Sequence, residues 1–201
     1  TTLMRAMLDA HENISVGPER KLIRSICGLR TEWIKGAKTL EEAGVSEAIF
    51  DEAVRAFISS LMENTGGGAK RIGEKTPPNL LYMQYLGKLY PQARFIHVIR
   101  DGRAVSNSLL KQEWVNPTTG DPLIYCTSPE HAGLYWAEMV QHIRAQADTV
   151  PGRYLEVRYE ELVTQPRETM AVILAFLDEP WDEAVMAHQD ADLSLPETES
   201  S

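Results

Sequence analysis

The run from Arg94 to Leu110 carries the densest chemical signal in the chain, because an apolar stretch there ends in two arginines and continues into a segment bearing hydroxyls. Phe95 to Ile99 is short and mostly β-branched, as a buried parallel strand requires. Asp101-Gly102 breaks it, and Asp101 offers a side-chain cap to a following helix. On that reading Arg100 lies at the carboxyl edge of a sheet, where open α/β folds bind ligands. Ser108 follows about two helical turns later, so it shares a phosphate with Arg100 only if the ligand lies along the helix start. A guanidinium binds phosphate through two parallel hydrogen bonds, and a serine adds a neutral donor. The same residues leave one alternative open: a tight hairpin turn at Asp101-Gly102, with the arginines as solvated strand ends.

A second anion-binding candidate is the opening segment Thr1-Thr2-Leu3-Met4-Arg5-Ala6-Met7-Leu8. It is already in a helical pattern and has no initiator methionine, so it reads as the interior of a longer protein. Thr1 and Thr2 stand at the start of that helix, where free N–H groups and the dipole favour an anion. An ordinary threonine cap explains them equally well.

Together these residues resemble the sulfotransferase family, and within it the tyrosylprotein sulfotransferases. In that family a Pro-Arg-Ser-Gly-Thr-Thr-Leu loop grips the 5'-phosphosulfate of 3'-phosphoadenosine 5'-phosphosulfate (PAPS), and this chain begins at the two threonines. The run Thr1 to His11 continues the pattern. So do Glu42-Ala43-Gly44-Val45, Glu74-Lys75-Thr76-Pro77, Val98-Ile99-Arg100-Asp101-Gly102-Arg103 and Arg158-Tyr159-Glu160-Glu161-Leu162. The resemblance covers nearly the whole chain, and its order and spacing are more specific than any one motif.

The resemblance implies a 3'-phosphate site at Arg100 and Ser108, with Tyr159 touching the nucleotide from the end of a late strand. It implies that Glu19 is the general base for the acceptor hydroxyl and Lys75 the cation near the transferred sulfuryl group. A carboxylate in reach can take the proton, a lysine can offset charge on the bridging oxygen, and no metal is required. Plain structural duties remain open for each. Glu19 follows Pro18 at a helix start and suits the dipole, Lys75 suits a solvated surface, and Tyr159 suits packing at a strand end. Two departures stand out. The Pro-Arg-Ser-Gly half of the loop and the family's late nucleotide loop are absent, so the chain alone is expected to be inactive. Lys111 and Gln112 stand where the tyrosylprotein enzymes tend to place another arginine.

With 201 residues, 43% of them hydrophobic and 24% charged, the chain suits one globular domain over 1–189 with a polar, frayed tail over 190–201. A net charge of -9 and a pI near 5.1 argue against general nucleic-acid binding. An anionic donor therefore needs a local cationic pocket. Arg20, Lys21, Arg24 and Arg30 cluster beside Glu19 and either read acidic residues around a target tyrosine or form a solvated face. No run is long and apolar enough to span a membrane. Cys27 and Cys126 match no metal spacing and read as free thiols, which favours a reducing cytoplasm. Family members in the Golgi lumen use disulfides, and that compartment follows if a preceding segment carries an anchor. The scattered histidines form no ligand pair, and His97 reads as a packed strand residue.

Pattern and punctuation predict a helix from Thr2 to about Ala10, a strand near Ile14 to Val16, and helices from Pro18 through Trp33 and from Val45 to Met62. The last of these is expected to bury Ile49, Phe57, Ile58 and Leu61. A loop at Asn64 to Gly68 precedes a strand around Arg71 to Glu74. Pro77 starts a helix through Tyr90, and the strand Phe95 to Ile99 and the helix Ala104 to Leu110 follow. Glu113 to Pro129 is expected as a loop shaping the acceptor side or as a surface excursion. A helix Glu130 to Ala147, a strand Tyr154 to Tyr159 and a helix Arg167 to Leu177 complete the series. The alternation predicts an α/β fold: a P-loop-type parallel sheet with helices on both faces, sulfotransferase-like.

The expected function is therefore PAPS-dependent transfer of a sulfuryl group to an acceptor hydroxyl. Protein tyrosine comes first, and a carbohydrate or small-molecule hydroxyl second. A P-loop kinase-like phosphotransferase and a noncatalytic interaction domain on the same fold are the rivals. The family suggests a homodimer.

Overall fold

The computed structural model describes residues 2–17, 19 and 22–187. Thr1, Pro18, Arg20, Lys21 and the tail expected over 190–201 lie outside the described residues. Four short strands, all paired in parallel, alternate with helices. The first pair is β1 (Ile14–Ser15) with β2 (Arg71–Ile72), and the second is β3 (Phe95–Ile99) with β4 (Tyr154–Arg158). In the second pair Phe95 faces Tyr154 and Ile99 faces Arg158, so both strands end together. Parallel strands need long crossovers, and helices supply them. Between β1 and β2 run α2 (Leu22–Glu42) and α3 (Glu47–Thr65). Between β3 and β4 run α5 (Gly102–Leu109) and α6 (Pro129–Ala147).

The main core joins α1 (Thr2–Asp9) to α7 (Tyr159–Thr164) and α8 (Pro166–Leu177) across the strands, through Met7, Ile14, Val157, Leu162, Met170 and Ile173. A second core packs α2 and α3 on α4 (Met83–Leu89), and a third seats Phe95 on Met83, Ile143 and Val150. On α8, Met170, Ile173 and Leu174 are all buried, at the spacing of one helical face.

On α3 the expected stripe is borne out at Ile58 and corrected at Ile49 and Phe57. Ile49 and Phe57 are more than half exposed, while Val54 and Ile58 are buried with Phe50 and Met62 packed beside them. Four-residue steps from Phe50 to Met62 form the face that meets α2 and α4, and the helix carries apolar residues on its other side as well.

Several boundaries also differ from expectation, and α2 runs on to Glu42 instead of ending at Trp33. The stretch after Pro77 is a 3-10 turn, Pro77–Tyr82, before it becomes α4. Pro129 belongs to α6 rather than to the loop, because proline suits the first helical turn and Ser128 Oγ accepts the His131 amide at 3.2 Å. Tyr159 opens α7 instead of closing β4. Within the expected loop, Val115 bridges Pro122, and a 3-10 turn at Ile124–Cys126 leads into α6.

Candidate active site

Each of four candidate side chains follows the carboxyl end of one of the four strands. Glu19 comes after β1, Lys75 after β2, Arg100 after β3 and Tyr159 after β4. That is the edge at which parallel α/β sheets present ligand-binding residues.

The first two are brought together by the β1–β2 pairing. Beyond β1 the Asp9 carboxylate accepts the amides of Val16 at 2.5 Å and Gly17 at 3.2 Å. Gly17 adopts a left-handed φ of 59°, which a side chain would disfavour. Beyond β2, Gly73 donates to the Ser15 carbonyl at 2.7 Å, prolonging the pairing. Glu74 then accepts from Thr76 Oγ1 at 2.6 Å and from the Asn79 side chain, which fixes the backbone on either side of Lys75. Lys75 Nζ donates to Glu19 Oε2 at 3.1 Å, with the lysine side chain only 10% exposed and the glutamate 24%. The two side chains thus lie side by side, both largely shielded from solvent.

The second group gathers around α5. Asp101 caps the helix by accepting the Arg103 amide at 2.8 Å, and its carboxylate also pairs with the Arg103 guanidinium. Those donors hold the Asp101 carboxyl far below its usual range. Asp101-Gly102 is therefore a helix start, and the hairpin alternative does not stand. Arg100 and Ser108 line one cleft of about 340 Å3 with Ala104, Asn107 and Lys111. The three- and four-residue steps from Ala104 place Asn107 and Ser108 on one helical face, and Lys111 follows in the turn after α5. The shared site thus runs along the flank of α5 rather than across its tip. Among the described residues neither Arg100 nor Lys111 forms an ion pair, unlike many other cations of this acidic chain. The Arg100 guanidinium instead lies 4.9 Å from the centre of the Tyr159 ring, a cation–π contact.

Thr2 is exposed at the start of α1. The basic cluster expected beside Glu19 is only partly described. Arg24 is exposed on α2, but Arg30 is tied into the α2–α3 packing by Glu47 at 2.6 Å and Asp51 at 3.4 Å, and it lies over the Trp33 and Tyr85 rings. Arg30 is therefore not available to a substrate as expected. Asn107 was missed by the sequence reading, and Lys111 was read there only as a departure from the family pattern. Their helical spacing from Ala104 is the signal that could have placed both on the Arg100 cleft. Among the described residues no three His, Cys, Asp or Glu side chains are grouped as a metal site would need, and no helix is long and apolar enough to cross a membrane.

Comparison with known proteins identifies the family and the fold. A model described as the sulfotransferase family matches residues 1–183. The protein-tyrosine sulfotransferase of Drosophila melanogaster is 36% identical over 94% of this chain and 38% of its own length. Protein-tyrosine sulfotransferase A of Caenorhabditis elegans is 36% identical over 100% and 53%, and the human protein-tyrosine sulfotransferase 1 is 34% identical over 94% and 51%. The chain thus spans about half the length of such relatives or less. Two solved structures share the fold. The sulfotransferase domain of the curacin biosynthetic pathway aligns with a TM-score of 0.64 at 18% identity, covering 95% of this chain and 74% of that one. The sulfotransferase domain of the Synechococcus PCC 7002 olefin synthase aligns with a TM-score of 0.65 at 22% identity, covering 100% and 78%.

The expected cytoplasmic location is corrected by these relatives, since protein-tyrosine sulfotransferases are Golgi enzymes. The inference from free thiols fails for a physical reason. Cys27 is buried, and burial pushes its thiol up to about 12, so it is shielded from pairing in any compartment and carries no information on location.

Proposed function

Since the chain belongs to the sulfotransferase family, we propose that it forms the donor and proton-transfer site of a PAPS-dependent enzyme that sulfates tyrosine in a protein acceptor. The observation that carries this reading is the placement of Glu19, Lys75, Arg100 and Tyr159 after the carboxyl ends of four parallel strands. The choice of acceptor follows the relatives named protein-tyrosine sulfotransferases. The kinase-like rival is set aside by the family match.

The donor set along α5 suits a phosphate monoester, with two cations, a hydroxyl and an amide converging on one cleft. Arg100 and Ser108 bind the 3'-phosphate there, Lys111 adds charge, and Tyr159 braces the Arg100 guanidinium. Thr2 faces the 5' end of the donor from the start of α1. PAPS supplies the sulfuryl group and leaves as 3'-phosphoadenosine 5'-phosphate. Glu19 accepts the proton of the acceptor hydroxyl as the new oxygen–sulfur bond forms. Lys75 turns from Glu19 to the bridging oxygen and offsets the negative charge left there as the old sulfur–oxygen bond breaks. The ion pair at 3.1 Å thus holds base and cation side by side before substrates separate them.

The test is sulfate transfer from labelled PAPS to a tyrosine peptide with acidic flanks, using the full-length protein. Glu19→Gln is expected to leave binding of 3'-phosphoadenosine 5'-phosphate within about twofold and to slow transfer by roughly 10²- to 10⁴-fold. Undiminished transfer by that variant would remove Glu19 from the mechanism. Labelling of a carbohydrate but not of the peptide would overturn the assigned acceptor.

A further inference from the structure

The turn that presents Arg100 is held at a single peptide unit. The Trp136 indole N–H, from α6, donates to the Arg100 carbonyl at 3.1 Å. The Asp101 amide donates to Glu160 Oε1, from the first turn of α7, at 2.8 Å. That carbonyl and that amide belong to the same planar bond, so side chains from two helices fix the orientation of one plane. The Asp101 donor also holds the Glu160 carboxyl below its ordinary range, which keeps the acceptor ionised and the hydrogen bond strong.

Glycine at the next position belongs to the same device. A Cβ on Gly102 would stand 2.8 Å from the Trp136 ring, so the indole closes on this turn only because no side chain is there. Neither Trp136 nor Glu160 lines the cleft of Arg100 and Ser108. Trp136 lines a neighbouring cleft of about 590 Å3, which meets the first at Asn107. Arg100 itself is exposed and has no ion pair among the described residues, so little besides its backbone and the Tyr159 ring limits where its long side chain points.

We propose that Trp136 and Glu160 are positioning residues for 3'-phosphate recognition: they clamp the Arg100–Asp101 peptide and so aim the Arg100 guanidinium along α5. The proposal rests on the donor reading given above. It separates binding of the 3'-phosphate from binding of the rest of the nucleotide, because only the former goes through Arg100.

The experiment is calorimetric titration of the full-length protein and its variants with 3'-phosphoadenosine 5'-phosphate and with ADP, which lacks the 3'-phosphate. Trp136→Phe keeps a ring over Gly102 and removes the donor. It is expected to weaken the 3'-phosphorylated ligand by roughly three- to tenfold and ADP by less than about twofold. Glu160→Ala is expected to act in the same direction, while Glu160→Gln, which keeps an amide oxygen as acceptor, recovers most of the loss. The double variant Trp136→Phe, Glu160→Ala should lose less than the product of the two single effects, because both act on one plane. Equal weakening of both ligands would mark a merely structural role and overturn the proposal, as would unchanged affinity for the 3'-phosphorylated ligand. Were the unsubstituted protein to bind both ligands alike, the donor reading itself would fall, and this inference with it.

Discussion

His97 shows how strongly burial governs chemistry on β3. The side chain is buried, its Nδ1 lies 2.8 Å from the Tyr154 hydroxyl, and that hydroxyl donates onward to Glu156 at 3.2 Å. Desolvation lowers the imidazole from about 6.5 to about 4; Glu156 opposes the shift and Arg144 adds to it. The group is thus neutral in the fold and gains a proton more readily when unfolded. Its contribution to stability is complete above about pH 6.5 and is lost as pH falls toward 4. The loss is about 3 kcal/mol across that window. Urea denaturation at pH 7.5 and 4.5 should therefore show a smaller acid-induced loss in His97→Leu than in the parent. An identical pH dependence would contradict this account of His97. The sequence reading already placed His97 as a packed strand residue, because an apolar run of that length leaves little else for it. It could not foresee Tyr154 as the partner, since that contact arises only from the register that sets Phe95 opposite Tyr154.

Among the elements, the segment after α8 is fastened to the first strand pair by one carboxylate. The Glu179 side chain is fully buried and accepts from Arg71 Nε at 2.6 Å, Lys70 Nζ at 3.1 Å and Asn13 Nδ2 at 3.0 Å. Burial alone would raise its carboxyl, but these three donors overrule that and hold it below the ordinary range. His11 adds a second tie: its Nδ1 accepts from the Asn13 amide, so Nε2 carries the proton given to the Pro180 carbonyl at 3.0 Å. Glu179→Ala would leave two cations and an amide around a vacated acceptor. It should cost about 2–4 kcal/mol in denaturant unfolding and speed hydrogen exchange in the turn Glu183–Met186. Glu179→Gln should lose less. A change under about 1 kcal/mol for the alanine variant would mean the latch is not a fastening. Nothing local in the sequence signals it, because its partners come from distant parts of the chain. The strand Phe95 to Ile99 and the helix after Asp101 were legible because strand length, β-branching and an Asp cap act within a few residues. The face of α3 was not, since apolar residues lie on both of its sides and only the packed partners choose between them.

For the molecule as a whole, four parallel strands with helical crossovers bring together residues that lie far apart in sequence. Glu19 meets Lys75, and Arg100 meets Tyr159, because each partner leaves the same end of a paired strand. With an overall charge of -9, the Arg100 and Lys111 cleft stands out, since it brings together two cations without carboxylate partners among the described residues. The motifs made most of this site legible in the sequence, but not the clamp at Trp136 and Glu160. A tryptophan in a helix and a glutamate in a first turn each have ordinary duties, and only the fold reveals that both grip one peptide.

The central claim is that the flank of α5 reads a 3'-phosphate. The most direct measurement is the ratio of affinities for 3'-phosphoadenosine 5'-phosphate and ADP, by calorimetry on the full-length protein and on Arg100→Ala. The account predicts that the unsubstituted protein prefers the 3'-phosphorylated ligand by at least about tenfold, and that Arg100→Ala removes most of that preference while sparing ADP. Equal binding of the two ligands by the unsubstituted protein, or a preference that survives Arg100→Ala intact, would contradict it.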